Sequence, residues 1–594
     1  IDGKEKSIVC QEKFADNMLY IRSDVNDTYS HSAEVKSRSE DASKPVRTTA
    51  VKIIRPNDKY TNNQIVVEIP NVRKPVPLFI LMRALGVLSD HDIIQHCLLD
   101  MEKNKSYIDL FIPSIHDAST IFTQKAALEY IAVFTKRKSL SYVYDILMNY
   151  FIPHIGELNF RDKAIYIGTI VLKLLKVFKN EEAPTDRDSF KFKRVELPGT
   201  LLYDLFKEYY NLMQQDIFKR FDNEYFYHEA EYEGLDENEI PKFIRLITNN
   251  YIEFFREKGL LVDEGFRKAF KGNWGAQSHT KKVGVVQDLN RLSFNSALSQ
   301  KRKLNLPIDS SSKDPKPHLL HGSQWGLVDP VDTPDGGNVG LHKHLAISTR
   351  ITKGYSMKSL LKWMRINSKL ILLDEASLEY ISYYTKIYIN GALVGIITEV
   401  LDFINEFKKW KRLNCIPIYT SYSWNIGENL IEFYTDSGRL TRPLFYIENN
   451  KSSVDDKQLL AKIKTKNFTW NDLVCGFNKK KIDDFDINGN VIYDIKELYG
   501  EKKEEELMKN LCVIDYMDSS EANTSMISVE NKNFKESKIK YTHHEIHPSL
   551  ILGVMGNQIT YPENNQLPRD LFSCGQSKQA VSMYHSNYNN RIDK

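Results

Sequence analysis

The stretch that decides the fold runs from Gly272-Asn273-Trp274-Gly275 through Thr333-Pro334-Asp335-Gly336-Gly337 to Leu345. It is rich in Gly, Pro, Ser, Asn and His and has few long periodic apolar runs. This composition predicts ordered loops that carry function rather than a hydrophobic core. Nine Lys and Arg residues against six Asp residues make the stretch locally basic, which suits contacts to backbone phosphates. For any single lysine, a solvated surface remains the simpler interpretation.

The segments before this stretch predict strands followed by helices. Val51–Ile54 and Gln64–Ile69 have the β-branched composition of strands. From Pro77 to Phe178 apolar residues recur at helical spacings of three and four. The same spacing returns in Leu201–Phe221 and Phe243–Phe255. These patterns predict a strand-rich start and a helical region, each with its own core.

The segments after Leu345 predict a mixed α/β region. Asn390-Gly391 lies between two apolar runs and indicates a hairpin, because Asn-Gly tolerates the positive φ angles of a type I′ turn. A helix is predicted over Glu399–Arg412, and polar loops over Asn180–Asp188 and Asp518–Asn533. Lys502–Lys509 is typical of a solvated helix with mixed charge.

The composition is that of a globular multidomain protein. The chain has 594 residues, 42% hydrophobic and 27% charged, which suggests about four domains. The net charge of +3 neither requires nor excludes nucleic acid. No apolar run reaches the roughly 18 residues of a membrane span, so we expect no membrane association. Six single cysteines without a CxxC pair favour a reducing compartment. Because Ile1 rather than Met opens the chain, we expect the natural start to lie upstream.

Two motifs resemble metal sites but favour plainer interpretations. Asp484–Gly489 has the alternating oxygen donors of a calcium loop, but Ile495 stands where the loop needs a bidentate Glu. A polar turn is the better interpretation. His543-His544-Glu545-Ile546-His547 lacks the helical HExxH spacing, and the Pro548 that follows favours an extended backbone. Packing and local hydrogen bonding are favoured there over zinc.

Further short motifs follow one another along the chain in a fixed order. They are Ile1–Lys6, Arg83–Gly86, Gly272–Gly275, Leu289–Arg291, Trp325–Val328, Thr333–Gly336, Thr435–Arg439, Arg442–Leu444, Ile514–Asp515, Glu545–Val554, Asn565–Arg569 and Lys578–Ala580. Through them the chain resembles the second-largest (β-type) subunit of multisubunit DNA-directed RNA polymerases, in its eukaryotic, archaeal or large-DNA-virus form. The colinear order makes chance agreement negligible.

The resemblance implies a partial chain of mixed α+β multidomain class. It has a helical lobe, a loop-rich fork, small α/β external domains and the start of a β-rich hybrid-binding domain. The implied boundaries are 1–14 for the end of the protrusion, 15–197 for the lobe, 198–265 for returning protrusion helices, 266–347 for the fork with two fork loops, 348–415 for external 1, 416–540 for external 2 and 541–594 for the start of the hybrid-binding domain.

The resemblance also implies a nucleotidyltransferase that adds nucleotides by in-line attack, assisted by two Mg²⁺ ions. The resemblance implies that these ions are held mainly by the largest subunit, and it assigns no metal ligand to this chain. Arg569 is implied to contact the triphosphate of the incoming nucleotide, and Lys578 and Gln579 to lie near the RNA end and the substrate. Asp335 stands where the family usually has Glu near the active centre, and its shorter side chain puts direct contact in doubt.

The fork is implied to face nucleic acid. Its implied contact residues are Gln287, Arg302, Lys313, Lys316, His318, Lys281 and Lys282. His318 replaces an expected Arg and Leu319 an expected Gln; if the family's pair touches nucleic acid, those contacts would be weakened or rerouted here. A family cysteine is Asp329 in this chain, with no evident consequence.

The implied partners are the largest and smaller polymerase subunits, the DNA template, nascent RNA and nucleoside triphosphates. Localisation would be the nucleus for a cellular eukaryotic enzyme, and a cytoplasmic viral factory or virion for a large DNA virus. A different class remains open, a non-catalytic or degenerate polymerase-like scaffold that binds nucleic acid and partner subunits. Arg569, Lys578 and Gln579 argue against it, whereas the departure at His318 argues mildly for it.

Overall fold

The computed structural model describes most of the chain. The described residues are 3–41, 43–56, 62–227, 260–308, 314–455, 460, 463–465, 469–475, 492–496, 500, 511–530 and 538–580. The fold is mixed α/β and divides into two units. The first unit comprises Ile1–Lys13, Arg194–Thr349 and Ser549–Lys594, and the second Phe14–Lys193 and Arg350–Pro548. The assignment of these pieces to named domains stays a prediction.

The first unit combines helices with short strands and many loops. Its α-helices are Pro198–Tyr227, Leu261–Phe270, Phe294–Lys301 and Leu567–Gln579. Its strands are Lys6–Ile8, Cys10–Phe14, Lys193–Glu196, Val286–Asp288, Lys303–Asn305 and His342–His344, of which the second and third cross the division by one residue each. Single 3₁₀ turns occupy Lys316–His318, Gly322–Gln324, Gly336–Asn338, Gly556–Gln558 and Pro562–Asn564. A further 3₁₀ segment, Pro548–Ile551, begins at the division.

The central sheet of the first unit positions the basic residues discussed below. Lys303–Asn305 pairs antiparallel with His342–His344 and parallel with Cys10–Phe14. The helix Phe294–Lys301 that precedes it begins with a capping box, in which Ser293 and Ser296 bond each other's backbone N–H groups. Such reciprocal bonds satisfy N–H groups that the first helical turn leaves unpaired. The start of this helix is therefore fixed by its own sequence.

The second unit begins with a five-stranded antiparallel sheet, followed by helices. The strands are Leu19–Ser23, Tyr29–Ser37, Arg47–Ile54, Ile65–Glu68 and Val76–Pro77. The α-helices are Leu78–Ala84, Asp90–Leu98, Ile112–Asp117, Gln124–Val133, Leu140–Asp145 and Phe160–Phe178, with a 3₁₀ helix over Lys105–Phe111, a π-helical turn over Ile146–Tyr150 and a 3₁₀ turn over Phe190–Phe192. The last of the α-helices lies in the large hydrophobic core of this part.

The remainder of the second unit contains two further sheets. Its strands are Arg350–Ile351, Ile371–Leu372, Thr385–Ile389, Ala392–Ile397, Ser421–Asn425, Leu430–Tyr434, Leu440–Glu448, Lys451–Ser452, Ile514–Asp518, Ile527–Ser528 and His543–His544. Its helices are Met357–Asn367, Leu373–Glu375, Leu378–Tyr383, Val400–Arg412, Trp470–Cys475 and Ser519–Asn523. A second apolar core lies here, with Trp363, Phe407 and Phe433 among its buried members.

Several sequence predictions are confirmed. Among the described residues, strands and helices occupy the segments where periodicity placed them. Asn390 and Gly391 adopt φ angles of 49° and 84° between two antiparallel strands. A side chain at Gly391 would collide with the carbonyl oxygen of Asn17, so the tight approach requires glycine there. The predicted helix over Glu399–Arg412 is observed as Val400–Arg412.

One prediction is wrong, and others lie outside the described residues. Within Asp518–Asn533, predicted as a polar loop, Ser519–Asn523 is a helix and Ile527–Ser528 a strand. The Asp518 carboxylate accepts a hydrogen bond from the Glu521 N–H and so starts this helix, although its residues are polar. The calcium-like motif Asp484–Gly489, the predicted helices Phe243–Phe255 and Lys502–Lys509, and the residue Lys313 are not among the described residues.

Within the described ranges, every helix is too short or too polar to span a lipid bilayer. Of the cysteines that the structure describes, Cys97, Cys415, Cys512 and Cys574 are buried.

Candidate functional site

The helix Leu567–Gln579 carries three of the predicted site residues. Pro568 occupies its first turn, where its missing N–H costs nothing, Asp570 follows in the same turn, and Lys578 lies in the last turn. An acid near the start and a base near the end both complement the helix dipole. The sequence therefore favours a helix over these residues, although Gln566 provides no side-chain cap.

The two faces of this helix differ in chemistry. Asp570, Cys574 and Lys578 recur every four residues, and the first two are 3% and 1% exposed. Arg569 and Gln579 are exposed and lie on the other face. The structure therefore separates Lys578 from the two residues with which the sequence grouped it.

Lys578 is held by partners from a distant part of the chain. Its ammonium donates a hydrogen bond to the carboxylate of Asp332 and a second, of 3.2 Å, to Nε2 of His344. The other ring nitrogen of His344, Nδ1, donates to the backbone carbonyl of Asp332 over 2.9 Å. A ring that donates through Nδ1 and accepts through Nε2 is neutral. Accordingly, burial together with Lys578 lowers the pKa of His344 to about 4.

The paired strands add further basic side chains to this point. Lys303 lies opposite His344 in the antiparallel register, and His342 lies two residues away on the same strand face. Burial and the charge of Lys578 lower the pKa of Lys303, and burial with the neighbouring lysines lowers the pKa of His342 to about 4. We call Lys303, His342, His344 and Lys578 the basic cluster; Asp332, which is 2% exposed, is the acid bonded to it.

Asp329 connects the same loop to the segment before the helix. Its buried carboxylate accepts hydrogen bonds from the N–H groups of Val331, over 3.0 Å, and Gly553, over 2.7 Å. Burial raises the pKa of this carboxyl to about 6. The expectation that an Asp here has no evident consequence is therefore wrong, because its side chain joins two segments more than 200 residues apart.

Arg569 and Asp335 are both open to solvent. The guanidinium of Arg569 lies 5.3 Å from the ring centre of Phe572, and no described carboxylate forms an ion pair with it. Gln579 lies ten residues further along the helix, roughly 15 Å along its axis. Asp335 precedes the short helix Gly336–Asn338 but makes no capping hydrogen bond with its side chain.

Three predicted fork residues have partners within the first unit. Lys282 forms an ion pair of 2.6 Å with Glu196. Arg302 donates to the carbonyl oxygen of Ala346 over 2.7 Å, and the Gln287 amide to that of Gly284 over 3.2 Å. These contacts stabilise loops, and their predicted roles toward nucleic acid stay predictions.

The remaining fork residues are partly or fully exposed. Lys281 and Lys316 are exposed. His318 is half-buried, and its Nδ1 donates to the carbonyl oxygen of Val339 over 2.8 Å. Its ring is thus fixed against the neighbouring loop.

No metal site is visible in the described part of the chain. Nowhere in it do three His, Cys, Asp or Glu side chains come together in a way that would hold an ion. In the second unit, His543 bonds Asp515 over 3.3 Å and His544 bonds Ser452 over 2.6 Å. Through their other ring nitrogens, His543 bonds the Thr542 hydroxyl over 3.0 Å and His544 donates to the Glu545 carbonyl oxygen over 2.9 Å, which confirms the prediction of local hydrogen bonding.

Sequence reasoning assigned no role to Lys303, His342, His344, Asp332 or Asp329. The alternation of His342 and His344 on a strand was a usable signal, because it places two histidines on one face. The proximity of His344 and Asp332 to Lys578 could not be predicted from the sequence, since 234 and 246 residues separate them from Lys578.

Comparisons with known proteins agree along the length of the chain. The family models RNA polymerase Rpb2, domain 2, domain 3 and domain 4 match residues 42–196, 287–351 and 387–448 in that order. DNA-directed RNA polymerase II subunit RPB2 of Encephalitozoon cuniculi is 32% identical over 100% of this chain and 48% of its own length. DNA-directed RNA polymerase II subunit 2 of Arabidopsis thaliana is 30% identical over 100% of this chain and 47% of its own length. DNA-directed RNA polymerase subunit 2 of Acanthamoeba polyphaga mimivirus is 27% identical over 90% of this chain and 44% of its own length.

These matches define the class as subunits of multisubunit DNA-directed RNA polymerases. The chain spans about half the length of the curated relatives it matches. Within that class, the chain belongs to the family of second-largest, Rpb2-type subunits.

Proposed function

We propose that this chain is part of the second-largest subunit of a DNA-dependent RNA polymerase and contributes nucleotide and nucleic-acid contacts to template-directed RNA synthesis. The relatives' names support the class of enzyme, because they are subunits of DNA-directed RNA polymerases, which are nucleotidyltransferases. The chain would be active only together with a largest subunit. The further partners would be smaller subunits, the DNA template, nascent RNA and nucleoside triphosphates. Localisation would follow the source, nuclear for a cellular enzyme or viral for a relative of the mimivirus one.

One observation carries the residue-level proposal. The helix Leu567–Gln579 is anchored on one face by the bond between Lys578 and Asp332, and presents the exposed guanidinium of Arg569 on the other. A guanidinium without a carboxylate partner can take phosphate oxygens bidentately. Because its charge is fixed, it would offset negative charge that develops on pyrophosphate as it leaves.

The basic cluster would support this role indirectly. Since Asp332 and His344 hold the Lys578 ammonium, Lys578 would fix the end of the helix rather than contact the substrate itself. Gln579, exposed beside it, would be the nearer donor to RNA. The two Mg²⁺ ions of the reaction would be held mainly by the largest subunit.

The test is nucleotide addition by the assembled polymerase carrying Arg569→Ala or Arg569→Lys. We expect Arg569→Ala to lower kcat/KM for nucleoside triphosphates by roughly 10²-fold, the loss typical of one transition-state donor, with assembly intact. Arg569→Lys should recover part of this, because charge remains but the fork geometry is lost. Arg267→Ala removes an exposed arginine of the same unit and is the matched control. Normal addition by Arg569→Ala would remove Arg569 from the mechanism and favour a scaffold role for this helix.

A further inference from the structure

A cleft of about 1300 Å³ lies in the second unit and shares no residue with the site described above. Its walls include the helices Asp90–Leu98, Phe160–Phe178 and Leu378–Tyr383 and the strand Thr385–Ile389. This volume exceeds that of a typical small-molecule pocket, so an extended segment of another molecule can enter it.

The strand Thr385–Ile389 places one lysine at the cleft. Ile387 and Ile389 are fully buried in an apolar core, whereas Lys386 and Tyr388 alternate with them and line the cleft. The position of Lys386 is therefore set by two core isoleucines. Its side chain cannot leave the cleft wall without a shift in strand register.

Three lysines and one carboxylate, that of Glu428, act on the charge of Lys386. Lys103, Lys173 and Lys176 line the same cleft. Lys173 and Lys176 each form an ion pair of 2.8 Å with a glutamate, but no described carboxylate pairs with Lys386. Burial together with these three lysines lowers the pKa of Lys386 to about 8, although the charge of Glu428, already paired with Lys173, opposes this shift. An ammonium held among other ammonium groups is stabilised by an anion that comes from outside.

The rim of the cleft has a different character. Tyr380 and Tyr383 are 56% and 78% exposed, and both rings contact Tyr384, with centres 5.8 Å and 5.2 Å away. Exposed tyrosines supply apolar contact area with few degrees of freedom to lose. Glu102 and Glu379 are also exposed at this rim. Their charges would repel a chain of phosphates more strongly than a single carboxylate, because every phosphate adds another negative charge.

We propose that this cleft binds a segment of another protein by one carboxylate, from Asp, Glu or a chain terminus, which pairs with Lys386 while adjoining apolar side chains pack on Tyr380 and Tyr383. The acidic rim argues against nucleic acid as the occupant. The proposed polymerase reaction does not use this surface, so the proposed peptide binding and the proposed polymerase function can fail independently of each other.

The test uses the purified protein that contains this chain, immobilised, with pools of ten-residue peptides. Each pool is random except for a central residue, Asp in one and Asn in the other. We expect the Asp pool to be retained at least about tenfold better than the Asn pool, because a typical charge-assisted hydrogen bond contributes about this factor in affinity. Peptides with aromatic or large apolar residues beside the Asp should be enriched.

Variants and a competitor complete the test. Lys386→Met should abolish the preference for Asp and Lys386→Arg should retain most of it, whereas Lys125→Met, an exposed lysine outside the cleft, should change nothing. In the unmodified protein, bound peptides should slow acetylation of Lys386 at pH 8. This measurement does not depend on the folding of any variant. Equal retention of the two pools, an unchanged preference in Lys386→Met, or tighter retention of a ten-nucleotide oligo-dT that displaces the peptides would each overturn the proposal.

Discussion

Replacing Asp332 by Asn tests the bond that anchors the helix Leu567–Gln579. The substitution keeps the volume of the side chain but removes the charge that neutralises Lys578 and lies near Lys303. Removing one partner of a fully buried ion pair costs about 3–5 kcal/mol. Since the Lys578 side chain is 23% exposed and can recover some hydration, we expect a loss of about 2–4 kcal/mol in the free energy of unfolding.

Asp335→Asn is the matched control three residues away in the same loop. Because Asp335 is exposed and makes no capping bond, its replacement should change the free energy of unfolding by less than about 0.5 kcal/mol. Urea denaturation measures both changes, and amide hydrogen exchange over residues 327–345 locates them. A double-mutant cycle with Lys578→Met should give a coupling energy of about 1.5–3 kcal/mol. Equal effects of the two substitutions, or no coupling to Lys578, would refute the anchoring role.

Three further outcomes concern stability. Asp515→Asn should cost about 3–5 kcal/mol at pH 7, because it leaves Arg412 without its buried partner. Burial alone would raise the pKa of Asp515, but Arg412 holds this pKa far below its usual range. In urea titrations the loss of stability should therefore persist until the pH falls below about 4. Burial raises the pKa of Glu521 to about 7. The free energy of unfolding should therefore be highest below about pH 4.5 and fall as the pH rises through 7, because the native state favours the protonated form. The urea midpoint of the unmodified protein should fall across this range relative to that of Glu521→Gln, and parallel profiles would contradict this. Gly553→Ala places a Cβ 2.7 Å from a buried carboxylate oxygen and should cost about 1–3 kcal/mol in thermal denaturation, whereas Gly575→Ala, in open space on a helix, should be neutral or slightly stabilising.

Local signals in the sequence predicted local structure well. The Asn390-Gly391 turn and the helix Val400–Arg412 depend on neighbours within a few residues, and both were predicted close to their observed bounds. The helix Ser519–Asn523 was missed because its polar residues are buried by tertiary packing, with Ser519 and Glu521 only 5% and 3% exposed. A hydrophobic pattern cannot reveal a helix whose buried face is polar.

The candidate site was predictable in its members but not in its arrangement. The resemblance selected Arg569, Lys578 and Gln579 from a single helix, and the roles it implies for them stay predictions. Helical geometry alone separates Arg569 from Lys578, since nine residues at 100° each place them on opposite faces. The partner of Lys578 could not be found in this way, because no periodicity relates a helix to a loop hundreds of residues earlier.

The bond from Asp329 to the Gly553 N–H has a consequence for building hybrid proteins. Exchanging residues 549–580 for the corresponding piece of a relative would transplant one half of this junction and leave the other behind. A graft from a protein with a cysteine in place of the carboxylate should be tolerated poorly unless position 329 is exchanged together with it. Two parts of the gene that are far apart thus have to be inherited as a matched set.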